Sequence, residues 1–153
     1  MMLLALMAFG VGMVFARRGG GSISDEKLAT LKEAVKGQNP KPEAWLEYAK
    51  ALQSVAETRH NVGMYKEAVN AYDQVLKADP YDKNARTGGA VCRASLDRLH
   101  GGDAEDFYDF MKATIEKDPK TAKAIFEQPY ALAYLSENRF QHLKDEAIAG
   151  SMD

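Results

Sequence analysis

Three prolines recur at almost constant spacing, each after a polar residue: Asn39-Pro40, Asp79-Pro80 and Asp118-Pro119, 40 and 39 residues apart. Proline lacks the amide donor and disfavours helix in the residue before it, so each pair closes one helix and opens the turn to the next. A fixed period in this range marks stacked repeats, whose units bury their apolar faces only against one another. The expected fold class is therefore all-α. At 153 residues the chain is long enough for a single core.

The segments before the prolines carry helical periodicity. Tyr65, Ala68, Tyr72, Val75 and Leu76 lie three or four apart and make one apolar face of a helix ending near Ala78. One period earlier the same places hold Leu28 and Val35; one period later they hold Phe107, Met111 and Thr114. The apolar class is kept at most of these places, so the units are degenerate repeats. Asp79-Pro80-Tyr81-Asp82 makes a turn into a second pair, from about Lys83 to Leu99 and from about Ala104 to Lys117. His100-Gly101-Gly102-Asp103 joins that pair, with Asp103 as N-cap. Beyond Pro119, Pro129 breaks the pattern into short helices. There Ile125, Phe126, Tyr130, Tyr134, Leu135, Phe140 and Leu143 are predicted to fold back as a cap. Ser22 or Ser24 starts a helix through Lys36 that supplies only the second half of a repeat.

The middle unit reads Trp45-x2-Tyr48-Ala49-x2-Leu52, then Gly63-Met64-Tyr65, Ala68-x3-Tyr72 and Asp79-Pro80. It resembles the tetratricopeptide repeat, in which two antiparallel helices pack closely. The resemblance implies an antiparallel helix-hairpin stack over residues 24–148, followed by a tail at 149–153. Small Ala49 and Ala68 would sit where Trp45, Tyr48 and Tyr72 pack, with Leu52, Tyr65, Pro80, Phe107, Met111 and Pro119 completing the repeat core. One departure is length: Leu52 to Gly63 is about two helical turns longer than in the usual repeat of roughly 34 residues. The leading helix is therefore predicted to project beyond its partner.

Met1 to Ala16 holds no charged side chain, and Arg17 and Arg18 follow at once. As a helix it would extend roughly 24 Å against a hydrocarbon core of roughly 30 Å. Residues 1–18 read as a single transmembrane helix, the anchor standing in for the missing partner helix of the first half-repeat. A cleaved signal ending at Val14-Phe15-Ala16 is the alternative, although its basic residues should precede the apolar run. The arginines favour a cytoplasmic helical domain, and signal cleavage would make it periplasmic. Residues 19–23, opening with Gly19-Gly20-Gly21-Ser22, read as a flexible tether.

Lys plus Arg number 20 against 22 Asp plus Glu, a net charge of −2, which offers no basic field to nucleic acid. Cys92 is the single cysteine, and His60, His100 and His142 are far apart in sequence, so no metal-ligand spacing is present. No phosphate-binding loop or nucleophile elbow occurs, so neither an enzyme, a cofactor nor a small-molecule substrate is expected. The expected partners are other proteins, with the membrane engaged through residues 1–16. On the leading helix of the second pair Lys83, Arg86, Ala90, Arg93 and Asp97 share one face, opposite Ala85, Gly89, Cys92, Leu96 and Leu99. By the resemblance, leading helices line a concave groove, and Lys50 and Gln53 would hold the corresponding face one unit earlier. Such a groove, Lys50, Gln53, Lys83, Arg86 and Arg93, would suit an acidic peptide or chain-terminal carboxylate. A solvated basic face is the alternative, and the family's carboxylate-clamp residues are not matched one by one. In Phe107-Tyr108-Asp109-Phe110 the phenylalanines read as core and Tyr108 as partly exposed. The function expected is a membrane-anchored interaction scaffold, an accessory subunit or assembly factor of a respiratory, photosynthetic or secretion complex. The alternative is an exported periplasmic adaptor.

Overall fold

The computed structural model describes residues 23–101 and 104–152. Among these the chain is all-helical, with no strand. The elements are α1 (Asp25–Ala34), α2 (Pro42–Arg59), α3 (Val62–Ala78), α4 (Lys83–His100), α5 (Ala104–Lys117), α6 (Pro119–Phe126), a 3-10 helix (Pro129–Ser136) and α7 (Asn138–Ser151). Short polar side chains start four of them by accepting a backbone N–H that the helix leaves unpaired. Ser24 accepts from Lys27 at 3.1 Å, Asn61 from Met64 at 2.9 Å, Asp82 from Ala85 at 2.9 Å and Asp118 from Thr121 at 3.2 Å. Two helices end on a left-handed residue, α2 at His60 (φ 51°) and α4 at Gly101 (φ 78°).

His60 and Asn61 alone separate α2 from α3, and so short a link forces the pair to run antiparallel. In the second pair Arg86 meets Thr114 while Arg93, seven residues later, meets Asp106, eight residues earlier, so α4 and α5 are antiparallel as well. Helices α2, α4 and α6 touch in succession, whereas no Cα of α3 comes within 8 Å of one in α5. The leading helices therefore form one contiguous layer, the inner layer of the pairs, while the first two return helices do not meet. At the C-terminal end α7 packs back on α6, where Gly150 meets Pro119.

Helix α4 is the axis, touching α2, α3, α5, α6 and the 3-10 helix. Its small residues make that possible. A Cβ at Gly88 would lie 2.2 Å from the ring of Tyr72, and one at Gly89 2.9 Å from the ring of Phe110, so both neighbours use space that any side chain would fill. On one side of α4 the core holds Tyr48, Leu52, Tyr65, Ala68 and Tyr72; on the other it holds Phe107, Met111, Phe126, Phe140 and Leu143. Phe107 stacks on Tyr134 with centroids 4.3 Å apart, binding the C-terminal cap to the second hairpin.

The leading helix of the first pair does not project. It has 18 residues and its partner 17, because α3 begins at Val62 immediately after the left-handed stop at His60. The end at 149–153 is not all tail, since α7 continues to Ser151. Phe107 and Phe110 are buried and Tyr108 is half-buried. Trp45, Pro80 and Pro119 of the expected repeat core are only half-buried. Among the described residues no helix is long and apolar enough to cross a membrane. The anchor at 1–18, the tether residues up to Ser22 and the cap at Asp103 lie outside the described residues.

Candidate functional site

The inner layer exposes polar side chains of α2 and α4. Helices α2 and α4 begin at Pro42 and Lys83, 41 residues apart, and have equal length, so their positions correspond one to one. Glu43, Lys50 and Glu57 lie on the solvent side of α2. Their counterparts on α4 are Asn84 and Arg98, both exposed, and Val91, which is half-buried; Thr87 is exposed in the same stripe. The two helices are in contact, and Glu57 and Arg98 both act electrostatically on the Tyr65 hydroxyl.

Aromatic residues of α3 support this face from below. The Tyr72 hydroxyl donates to Gln53 Oε1 at 2.6 Å, and Gln53 Nε2 donates to Glu57 Oε2 at 3.1 Å. Tyr48 donates to Glu67 at 2.9 Å, linking α2 to the outer side of α3. Burial, and then the Glu67 carboxylate, push the Tyr48 hydroxyl up to about 12. Burial likewise raises Tyr65 and Tyr72, so these phenols stay neutral. Cys92, at the centre of α4, is pushed up to about 12, chiefly by burial and then by Glu57. It is a packed thiol rather than a thiolate nucleophile.

The structure divides the five groove residues expected from sequence. Lys50 lies exposed in the inner stripe, and Gln53, half-buried beside it, is engaged by Tyr72 and Glu57. Lys83 is exposed at the first turn of α4, near Asp118. Arg86 and Arg93 share a face of α4, and that face points into the protein. They are 6% and 8% exposed. Arg86 donates to the Pro80 carbonyl at 3.1 Å and to Thr114 Oγ1 at 3.2 Å, and burial lowers its pKa. Arg93 forks onto Asp73 of α3 at 3.0 Å and Asp106 of α5 at 3.3 Å, with its guanidinium 4.1 Å from the Phe110 ring centroid. These arginines hold the two hairpins together.

Sequence reasoning missed Thr87, Val91 and Arg98. The polar stripe of α4 suggests a solvent side, but its two arginines are buried, Arg93 against Asp73 of α3 and Asp106 of α5 and Arg86 against Thr114 of α5. The register of α4 against α2 would have revealed the difference, because Lys50 corresponds to Val91 and Glu57 to Arg98.

A cleft of about 240 Å³ opens beside the arginine hub, lined by Lys66, Arg93, Leu96, Asp97, His100, Gly101 and Asp106. Its carboxylates are engaged: Asp106 holds Arg93, and Asp97 accepts the Tyr134 hydroxyl at 2.7 Å. His60, His100 and His142 are exposed and sit on different elements. Among the described residues no group of three or more His, Cys, Asp or Glu side chains is placed to hold a metal. What the inner layer can do chemically is recognition: a polar, aromatic-backed strip that offers both charges and one aliphatic contact. Comparison with protein-family models, with curated proteins and with solved structures returns no match.

Proposed function

We propose that the chain is a tetratricopeptide-type interaction scaffold working at a membrane, as an accessory subunit or assembly factor of a membrane protein complex. The observation that carries this reading is the order of the helices: α2, α4 and α6 side by side, with α3 and α5 held apart. That arrangement presents leading-helix faces as one concave strip, the geometry that suits capture of an extended or helical segment of another protein. Lys50, Glu57 and Arg98 carry opposite charges on adjoining helices, which fits a partner segment of mixed charge better than the purely acidic peptide expected from the sequence. The apolar residues 1–16 supply the membrane contact.

The test is purification of the tagged, full-length chain from its own membranes in mild detergent, followed by mass spectrometry of everything retained. The reading expects Met1-containing chain in constant ratio with one or a few membrane proteins. Combined Lys50→Glu and Arg98→Glu should remove them without unfolding the helices, since exposed substitutions of this kind change stability by roughly 0.5 kcal/mol or less. Recovery of the chain alone, starting after Ala16 and free of membrane, would replace the reading with that of an exported adaptor.

A further inference from the structure

Among the described residues one side-chain oxygen is sealed from solvent without a hydrogen-bond partner, the hydroxyl of Tyr130. A phenol in that state has given up its bond to water and gained none, so groups of this kind are rare in folded proteins. Tyr130 is the second residue of the 3-10 helix, and the residue as a whole is only half-buried. Burial and then Cys92 push its pKa up to about 12.

Where the ring lies follows from the groups at its two ends. A 3-10 helix has three residues per turn, so Ala131 and Tyr134 share one side, and both are buried. Tyr134 stacks on Phe107 and donates to Asp97 Oδ2 at 2.7 Å, which fixes the 3-10 helix to one flank of α4. Cys92, near enough to act on the Tyr130 hydroxyl, comes five residues earlier and so lies on nearly the opposite flank, in the core with Leu52, Tyr65 and Tyr72. One way round α4 is filled by Arg93 and the Phe110 ring beneath it. The other passes over the inner face, and Tyr130 takes it. That path accounts for the burial there: Thr87 and Arg98 are exposed at either end, while Val91 between them is half-buried and Ala94 and Ser95 are buried.

We propose that Tyr130 is a resident plug of the leading-helix strip, and that a partner segment binds by turning it out and seating an apolar side chain, leucine or phenylalanine, in its place over Val91. The inference rests on the scaffold reading above and names the anchor of the partner. The seat offers a hydroxyl no hydrogen bond, so a partner tyrosine or serine would meet the same loss that Tyr130 bears, whereas an apolar side chain would not. Turned outward, Tyr130 regains water at its hydroxyl, which offsets part of the lost burial of its ring. Only the side chain has to rotate, because Ala131 and Tyr134 keep the 3-10 helix in place. Exposed Lys50 and Arg98 flank the seat and suit an acidic residue beside the anchor.

The test uses the full-length chain with a photo-reactive amino acid at Lys50, irradiated in native membranes, and the same group at Lys112 on the exposed side of α5 as control. Tyr130→Phe keeps the ring and deletes the unpaired hydroxyl. It should raise the thermal midpoint by about 3 °C and lower cross-linking from position 50 about fivefold, since a firmer plug leaves the binding-competent form rarer. Cross-linking from position 112 should not change. Tyr130→Ala, with its helix content checked by circular dichroism, should lower the midpoint and raise cross-linking from position 50. A tyrosine with a purely structural role would move stability and binding in the same direction. In Tyr130→Ala, toluene should restore the midpoint more than p-cresol, the tyrosine side chain itself; an equal or larger effect of p-cresol overturns the apolar anchor. A Phe variant no more stable than the native chain overturns the proposal, and should the Ala variant not fold, the Phe variant decides alone. Unchanged cross-linking from position 50 in a stabilised Phe variant removes this inference and keeps the scaffold reading, whereas no cross-linking from position 50 in the native chain removes both.

Discussion

Two residues of α4 show how little freedom the hairpin contact leaves. Gly88 gives its Cβ space to Tyr72, whose hydroxyl then reaches Gln53. Gly88→Ala must push the ring aside and break that bond, at an expected cost of about 2–3 kcal/mol, read as a lower urea midpoint. Arg93 is 8% exposed but its carboxylate partners are not stranded without it, since the Asp73 and Asp106 side chains are 39% and 49% exposed. Arg93→Met should therefore cost about 2 kcal/mol rather than the larger penalty of an isolated buried charge. Asp73→Asn should cost less, as the fork onto Asp106 remains, and the same denaturation series separates the two. The small and aromatic residues of this contact were legible in the sequence, because Ala49, Ala68 and Tyr72 fall at repeat spacing. The role of Arg93 was not, since it depends on carboxylates 20 residues before it and 13 after it that only the fold brings together.

At the scale of the element, capping carries both stability and pH dependence. Asp118 caps α6, and burial by itself would raise its carboxyl. The hydroxyl and amide of Thr121 and the charge of Lys83 outweigh that and hold it below the ordinary value. Because the folded value is depressed, its contribution is present above the ordinary carboxylate pKa of about 3.9 and is lost as pH falls through the folded value. Asp118→Ala should cost about 1 kcal/mol near neutral pH and flatten the loss of stability on acidification, measured by thermal unfolding between roughly pH 6 and pH 2. Helix bounds that rest on Pro, Asp and Gly were legible: α3 ends at Ala78 and α5 runs Ala104–Lys117 as the residues imply. The length of α3 was not, because the stop at His60 is a left-handed conformation in a residue that seldom takes it. Likewise nothing local announces that Pro129 starts a 3-10 helix, which is settled by Ala131 and Tyr134 packing into the cap.

For the molecule as a whole, the all-α class followed from a period near 40, while the order in which the helices touch did not. The contacts between α2, α4 and α6 and their lack between α3 and α5 are a difference in packing that no single segment encodes. Thr87 and Arg98 are exposed on α4 whereas Arg86 and Arg93 are buried, so under the proposed function it is the former pair that α4 offers to a partner. A photo-reactive amino acid placed in turn at Lys50, Thr87, Asp109 and Lys112 of the full-length chain, and irradiated in native membranes, measures this directly. Positions 50 and 87 should cross-link to the same protein, and positions 109 and 112, on the exposed side of α5, should yield little. Equal cross-linking from all four positions, or a partner captured only through α5, would contradict the claim that the leading-helix face is the one this chain uses to hold other proteins.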